Sequence, residues 1–134
     1  MENNKWMFKI ELMDNTVFDK YENKYDISIP GELRAFVTEN NAANPRDNLV
    51  IIAGTERVMD AILSFNENET DAVTFETIFS AMDNKAFIPF AMDPFGNVFC
   101  YDTTDKSIVF YDHEENRYEN SEKNLKEFVD SMYA

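Results

Sequence analysis

Residues 87–112 read FIPFAMDPFGNVFCYDTTDKSIVFYD, three apolar runs separated by two short clusters of turn-forming residues. Runs this rich in Phe, Ile, Val and Tyr, parted by Asp-Pro-Phe-Gly and Thr-Thr-Asp-Lys, predict consecutive strands at 87–92, 97–102 and 107–112. The middle run adds a harder constraint. Successive side chains of a strand point to opposite faces, so Val98 and Cys100 lie on one side and Phe99 and Tyr101 on the other. Both faces are apolar. Such a sheet has to be covered twice, or buried at its centre, and the rest of the chain must supply the covers.

Between the first two runs stands Asp93-Pro94-Phe95-Gly96-Asn97, which has the residue types of a metal or phosphate loop and of a tight turn. Pro94 presets its φ, Gly96 accepts a positive φ, and Asp93 and Asn97 can hydrogen-bond the turn backbone. Asp93, Pro94, Gly96 and Asn97 are therefore read as a structural hairpin turn.

The covers are visible as helical stripes. Phe18, Tyr21 and Tyr25 recur at spacings of three and four, as do Leu33, Phe36 and Val37 after Pro30 and Glu32, which suit a first helical turn. Residues 40–45 stop that second helix. Thr74 or Asp71 would cap a third over Phe75, Ile78, Phe79 and Met82, and Ser121 a fourth over Leu125, Phe128, Val129 and Met132. Residues 48–54 form a β-rich run closed by Gly54. Residues 58–65 fit a strand and, through Met59, Ile62 and Leu63, equally a helix. The polar stretch 113–120 is predicted as a connection. Trp6, Phe8, Ile10 and Leu12 alternate like a strand while Trp6, Ile10 and Met13 fit a helix, so the packing of residues 1–14 stays open. The expected fold is α+β: one domain over residues 1–134, with a central, mostly antiparallel sheet and packed helices.

Charge narrows the partners. Twenty-six acids against twelve bases leave a net −14. That field repels nucleic acid and anionic membranes and draws basic partners, although solubility alone also accounts for it. No apolar run approaches the ~20 residues of a membrane span. No signal peptide is read, and the single Cys100 cannot form an internal disulfide, so a reducing cytoplasm is the expected setting.

Catalytic chemistry finds little to stand on. One His and one Cys cannot furnish a four-ligand zinc site. Cys100 sits mid-strand, where an inert buried thiol is expected rather than half of a Cys100–His113 dyad. The acidic loop 66–71 has Asp71 and Thr77 where a calcium loop needs Gly and Glu. No Gly-rich phosphate loop and no Gly-x-Ser-x-Gly occurs. No catalysis, metal or cofactor is expected.

YENKYDISIPGELRAFVTENN, FIPFAMDPFGNVFCYD and SEKNLKEFVDSMY together resemble the SUKH superfamily, over roughly residues 17–134. They correspond to its early aromatic-Glu helix with Leu-Pro, its Ile-Pro strand with an Asp-x-x-Gly-Asn turn, and its closing helix. Ile29-Pro30 replaces Leu-Pro, and Asn41-Ala42-Ala43 replaces the glycine stop. The resemblance implies an α+β interaction module without an obligatory cofactor. Many such proteins are bacterial immunity proteins that neutralise a cognate toxin, and others are cell-wall synthesis regulators. The first reading makes the partner a basic toxin domain, of nuclease type. The alternatives are a regulatory module of the same fold and, further off, a calcium-binding or enzymatic protein. The resemblance assigns no contact residues. Exposed acids and nearby aromatics nominate Glu67, Glu69 and Asp71 in one loop, and Tyr111, Asp112, Glu114, Glu115, Tyr118 and Glu119 in another stretch.

Overall fold

The computed structural model describes residues 5–134. The chain runs β1 (Trp6–Met7), α1 (Val17–Tyr25), α2 (Gly31–Asn40), β2 (Asn44–Pro45), β3 (Leu49–Ile52), β4 (Thr55–Val58), β5 (Ala61–Ile62), α3 (Phe75–Ser80), β6 (Phe87–Met92), β7 (Val98–Asp102), β8 (Ile108–Asp112), β9 (Arg117–Asn120) and α4 (Leu125–Asp130). It is one α+β domain.

The meander is present and wider than its sequence announces. β5-β6-β7-β8-β9 form a five-stranded antiparallel sheet in chain order, with β1–β2 and β3–β4 as separate two-stranded ribbons. The predicted polar connection at 113–120 is instead the turn and last strand of the β8–β9 hairpin, with Tyr111 opposite Tyr118 and Phe110 opposite Glu119. An edge strand keeps one row of backbone groups toward solvent and tolerates charge, so Arg117 and Glu119 do not signal a loop there. Pro89 lies inside β6 without cost to the sheet. The β6–β7 register shifts between Pro89 and Ala91, and β5 pairs only with Ala91 and Met92, so no neighbouring strand needs the missing N–H.

The core face carries Ile88, Phe99, Tyr101, Ile108 and Phe110, all fully buried. α4 sets Phe128 5.8 Å from Phe99, which lies 5.1 Å from Phe110. α2 contributes buried Leu33 and Val37, and its Phe36 meets Phe90 edge-on at 6.2 Å. The stripe on α1 meets a column of stacked rings: Phe65 on Phe75 at 4.6 Å and Phe75 on Phe79 at 5.1 Å, with Tyr21 5.0 Å from Phe75. The Tyr21 hydroxyl donates to the Phe65 carbonyl at 2.9 Å, so its burial leaves no polar group unpaired.

Local signals were misplaced in three places, and one choice left open, over residues 58–65, is decided for the strand. Ser121 does not cap α4: Asn124 does, in a capping box with Glu127 three residues on. Pro30 is the N-cap of α2 in extended conformation, one residue before the helix, where a missing N–H is equally harmless. Residues 58–65 form no helix. They close β4, form β5 and continue extended, with Leu63 N–H on Phe90 O. Met82 falls two residues past α3, which Thr74 caps by accepting the Thr77 N–H. Of the segment 1–14, residues 1–4 lie outside the described residues. The remainder packs on the domain: β1 pairs with β2, Trp6 meets Phe36 at 5.5 Å, and Asn41 and Asn66 side chains hold the backbone of Ile10, Glu11 and Met13.

β3 and β4 are joined by Ala53-Gly54, both at positive φ (50° and 82°), in a two-residue turn with Ile52 opposite Thr55. A Cβ at positive φ is strained, and this turn class prefers Asn before Gly. Ala53→Asn is expected to stabilise the protein by about 0.5–1 kcal/mol, raising Tm by about 2–4 °C in calorimetry.

Candidate functional site

The β6–β7 turn is built on one carboxylate. Asp93 Oδ1 accepts the N–H groups of Phe95 and Asn97, both at 2.8 Å, and its Oδ2 accepts Asn97 Nδ2 at 2.9 Å. Asp93 and Asn97 are 5% and 9% exposed, so this is an internal brace that leaves the carboxylate no open side for a metal. Phe95, at the tip, is 77% exposed.

Asn97 also reaches across to the neighbouring hairpin, a link absent from the sequence reading. Its Oδ1 accepts the His113 N–H at 3.0 Å and faces His113 Nδ1 at 2.6 Å. The Asn97 amide nitrogen is committed to Asp93, so the Oδ1 is an acceptor and the geometry assigns the imidazole proton to Nδ1. Gly96 has φ +91°, and a Cβ there would stand 3.4 Å from His113 Cε1. Asp93, Asn97 and His113 thus tie two hairpin turns together at one end of the sheet.

The β8–β9 hairpin is internally braced as well. Asp112 Oδ1 accepts from Glu114 N and Glu115 N at 3.1 and 3.2 Å, and the Tyr111 hydroxyl donates to Asn116 Oδ1 at 2.9 Å. The Tyr111 and Tyr118 rings stack at 4.6 Å, inclined by 28°. Tyr118 also touches Phe87 at 4.5 Å. β6 and β9 are three strand spacings apart, roughly 14 Å, so these rings lean toward each other across the sheet. Cys100, on the same face, is wholly buried, and burial pushes its thiol well above the ordinary range. It is an inert thiol. Burial likewise raises the Tyr118 phenol, with Tyr111 and Asp83 adding to the effect.

The nominated acids divide by what they hold. Glu119 turns to the core face, pairs with Arg57 at 2.7 Å and is 14% exposed, while Arg57 lies 4.5 Å over the Phe110 ring. Glu115 pairs with Arg117 at 3.2 Å, and Glu67 with Lys20 at 3.3 Å. Glu69 folds inward, accepting Asn66 Nδ2 at 3.2 Å, Ser64 Oγ at 3.0 Å and Asp71 N at 3.2 Å. Glu114 and Asp71 stand exposed. The structure does not bring the two acidic stretches together: one follows the β5 edge of the sheet, the other forms its β9 edge. Among the described residues no His/Cys/Asp/Glu group has metal-holding geometry, and no helix is long and apolar enough to cross a membrane.

A mostly antiparallel sheet with four packed helices and a braced pair of hairpin turns defines an α+β domain of the kind the sequence resembled. The SUKH family model described as SMI1-KNR4 cell-wall matches residues 16–129, and the chain belongs to that family. No curated protein and no solved structure matches it significantly.

Two measurements follow from these contacts. Asn97→Ala removes the bridge and leaves buried Asp93 short of a donor, so stability should fall by about 2–3 kcal/mol, and the His113 amide should lose its exchange protection. The second concerns acid. Hydrogen bonds from Asn66, with Asp71 N–H and Ser64 behind them, hold Glu69 below the ordinary carboxylate range. The Arg34 guanidinium does the same for Glu22, and the Lys24 ammonium for Glu76. A lowered folded pKa adds stability above the unfolded value that is lost as pH falls through the folded one. Glu69→Gln should therefore cost about 1 kcal/mol at neutral pH, with the cost shrinking as pH falls below the ordinary carboxylate range, in paired denaturant titrations.

Proposed function

We propose that this protein is an immunity protein: a cytoplasmic, non-catalytic module that binds and neutralises a basic bacterial toxin domain, a nuclease in the favoured case. Membership of the SUKH family supports an immunity or regulatory role, and the observation that selects a basic partner is the net −14. A nuclease must hold phosphates with Lys and Arg. An acidic inhibitor competes for that same surface, and the long-range field speeds its capture. Speed matters because the inhibitor acts against an enzyme already able to damage its own cell.

The contact surface in this reading is the β8–β9 hairpin with the adjoining Phe95 turn. Tyr111 and Tyr118 serve as aromatic anchors, with Asp112, Glu114 and Glu115 in the adjoining turn, while Glu119, on the opposite face and paired with Arg57, adds only to the field. Glu67, Glu69 and Asp71 form a second, more remote acidic segment that adds to the field. A regulatory module with a non-toxin partner is the second reading, favoured by the cell-wall description of the family.

Affinity capture with the tagged chain, eluted by a salt step and followed by titration of the eluted protein's activity, separates the two. The toxin reading predicts a basic domain whose binding weakens about tenfold or more between low and physiological salt, and whose enzymatic activity is abolished at one equivalent. A partner indifferent to salt and without toxic activity would favour the regulatory reading.

A further inference from the structure

The second face of the sheet is covered only in part. α3 and the residues after it lay Ile78 and Met82 against Val98 and Cys100. Between Ala81 and His113 the cover stops, leaving a cleft of about 370 Å³. Its floor is apolar, made by Ile78, Met82 and Val98, and Tyr111, stacked on Tyr118, forms a wall. His113 closes one end with a fixed orientation: Nδ1 is 2.6 Å from Asn97 Oδ1 and carries the proton, which leaves Nε2 as the ring's acceptor position. Exposed Glu114 follows His113, and Asp83 follows Met82 and acts electrostatically on Tyr118.

These walls ask for a particular occupant. The floor needs an apolar stem, the tyrosine wall in a protein of net −14 favours a flat cation, and the His113 acceptor needs an N–H donor. A carboxylate or phosphate would be repelled. A purely apolar side chain would leave the rim desolvated and unanswered. Lysine has the stem and the charge but no planar donor group to lie against a ring.

We propose that this cleft receives an arginine side chain of the protein partner, its stem over Met82 and Val98 and its guanidinium between Tyr111 and His113 Nε2, with Glu114, the residue after His113, adding to the local field. The assignment rests on the reading of a basic partner and names the place where that partner is recognised.

The test uses the full-length protein and a hexa-arginine peptide as probe, with hexa-lysine for comparison, followed by amide chemical shifts at low salt. Ala81 is exposed at the end of α3, where a larger side chain lies over the cleft without entering the core. Shift changes should centre on Tyr111, His113 and Val98, with hexa-arginine about threefold tighter than hexa-lysine. Ala81→Trp should weaken hexa-arginine about tenfold at unchanged Tm. Glu114→Lys should weaken it more than Glu39→Lys, an equal charge change at an exposed site on α2. Unchanged binding by a folded Ala81→Trp, equal effects of the two charge reversals, or shifts centred on residues 66–71 would overturn the cleft and leave the basic-partner reading standing. A peptide that binds nowhere on the protein would overturn both.

Discussion

Every other feature of the domain answers to a sheet whose central strands are apolar on both faces. On the core face the solution is complete: α2, α4 and the aromatic column beside α1 and α3 leave Phe99, Tyr101, Ile108 and Phe110 wholly buried. A short chain has too few helices to repeat that on the other side. α3, six residues long, divides itself between the two faces, giving Phe75 and Phe79 to the core cluster and sharing Ile78 between that cluster and the second. Over β8 and β9 the cover is made by the sheet's own side chains, with Phe87, Tyr111 and Tyr118 leaning together above the strands. This is a cheaper cover than a helix, and it leaves aromatic rings at the surface.

Legibility followed the range of the interaction that decides each element. Stripes such as Phe18, Tyr21 and Tyr25, or Leu125, Phe128 and Val129, are set by periodicity within a dozen residues, and their helices and the three-strand meander could be read from them. The β9 strand could not. Its residues Arg117, Tyr118, Glu119 and Asn120 carry no strand pattern of their own, and only pairing with β8 and the Arg57–Glu119 contact, 62 residues apart in sequence, make it one. β5 and the run to Phe65 show the same limit: their apolar residues satisfy two periods, and tertiary contacts with β6 choose between them. The end caps failed for a smaller reason. Ser121 and Asn124 are both good N-caps, and the Glu three residues after Asn124 is what discriminates.

The hairpin turn shows how a local reading can be sound and incomplete. Asp93, Pro94, Gly96 and Asn97 contain the turn in their sequence, because the bonds that close it lie within five positions. Nothing in those positions announces that the Asn97 side-chain oxygen, Oδ1, is left over after the turn is closed, or that His113 uses it. The cleft is further from sight still, since its lining comes from α3, the strand after the turn and the start of the next hairpin. Composition located the charge and the aromatics. Topology decided which of them meet.

The acids then fall into two groups with different freedom to change. Asp93 carries the turn, Asp112 the next one, Glu69 its loop, and Glu119 neutralises an arginine packed on the core; each is bonded by groups that would be left unsatisfied without it. Glu114 and Asp71 hold nothing in the fold, nor does the exposed ring of Phe95. Mutual repulsion at −14 is a standing cost to the compact state, and only the second group could be neutralised without losing a bond in return. A surface that must match a changing partner can draw its variation only from residues the fold does not need. Glu114 and Phe95 flank the end of the sheet where Asp93, Asn97 and His113 tie two turns together, so under the proposed reading contact chemistry there can vary over a backbone that those bonds hold.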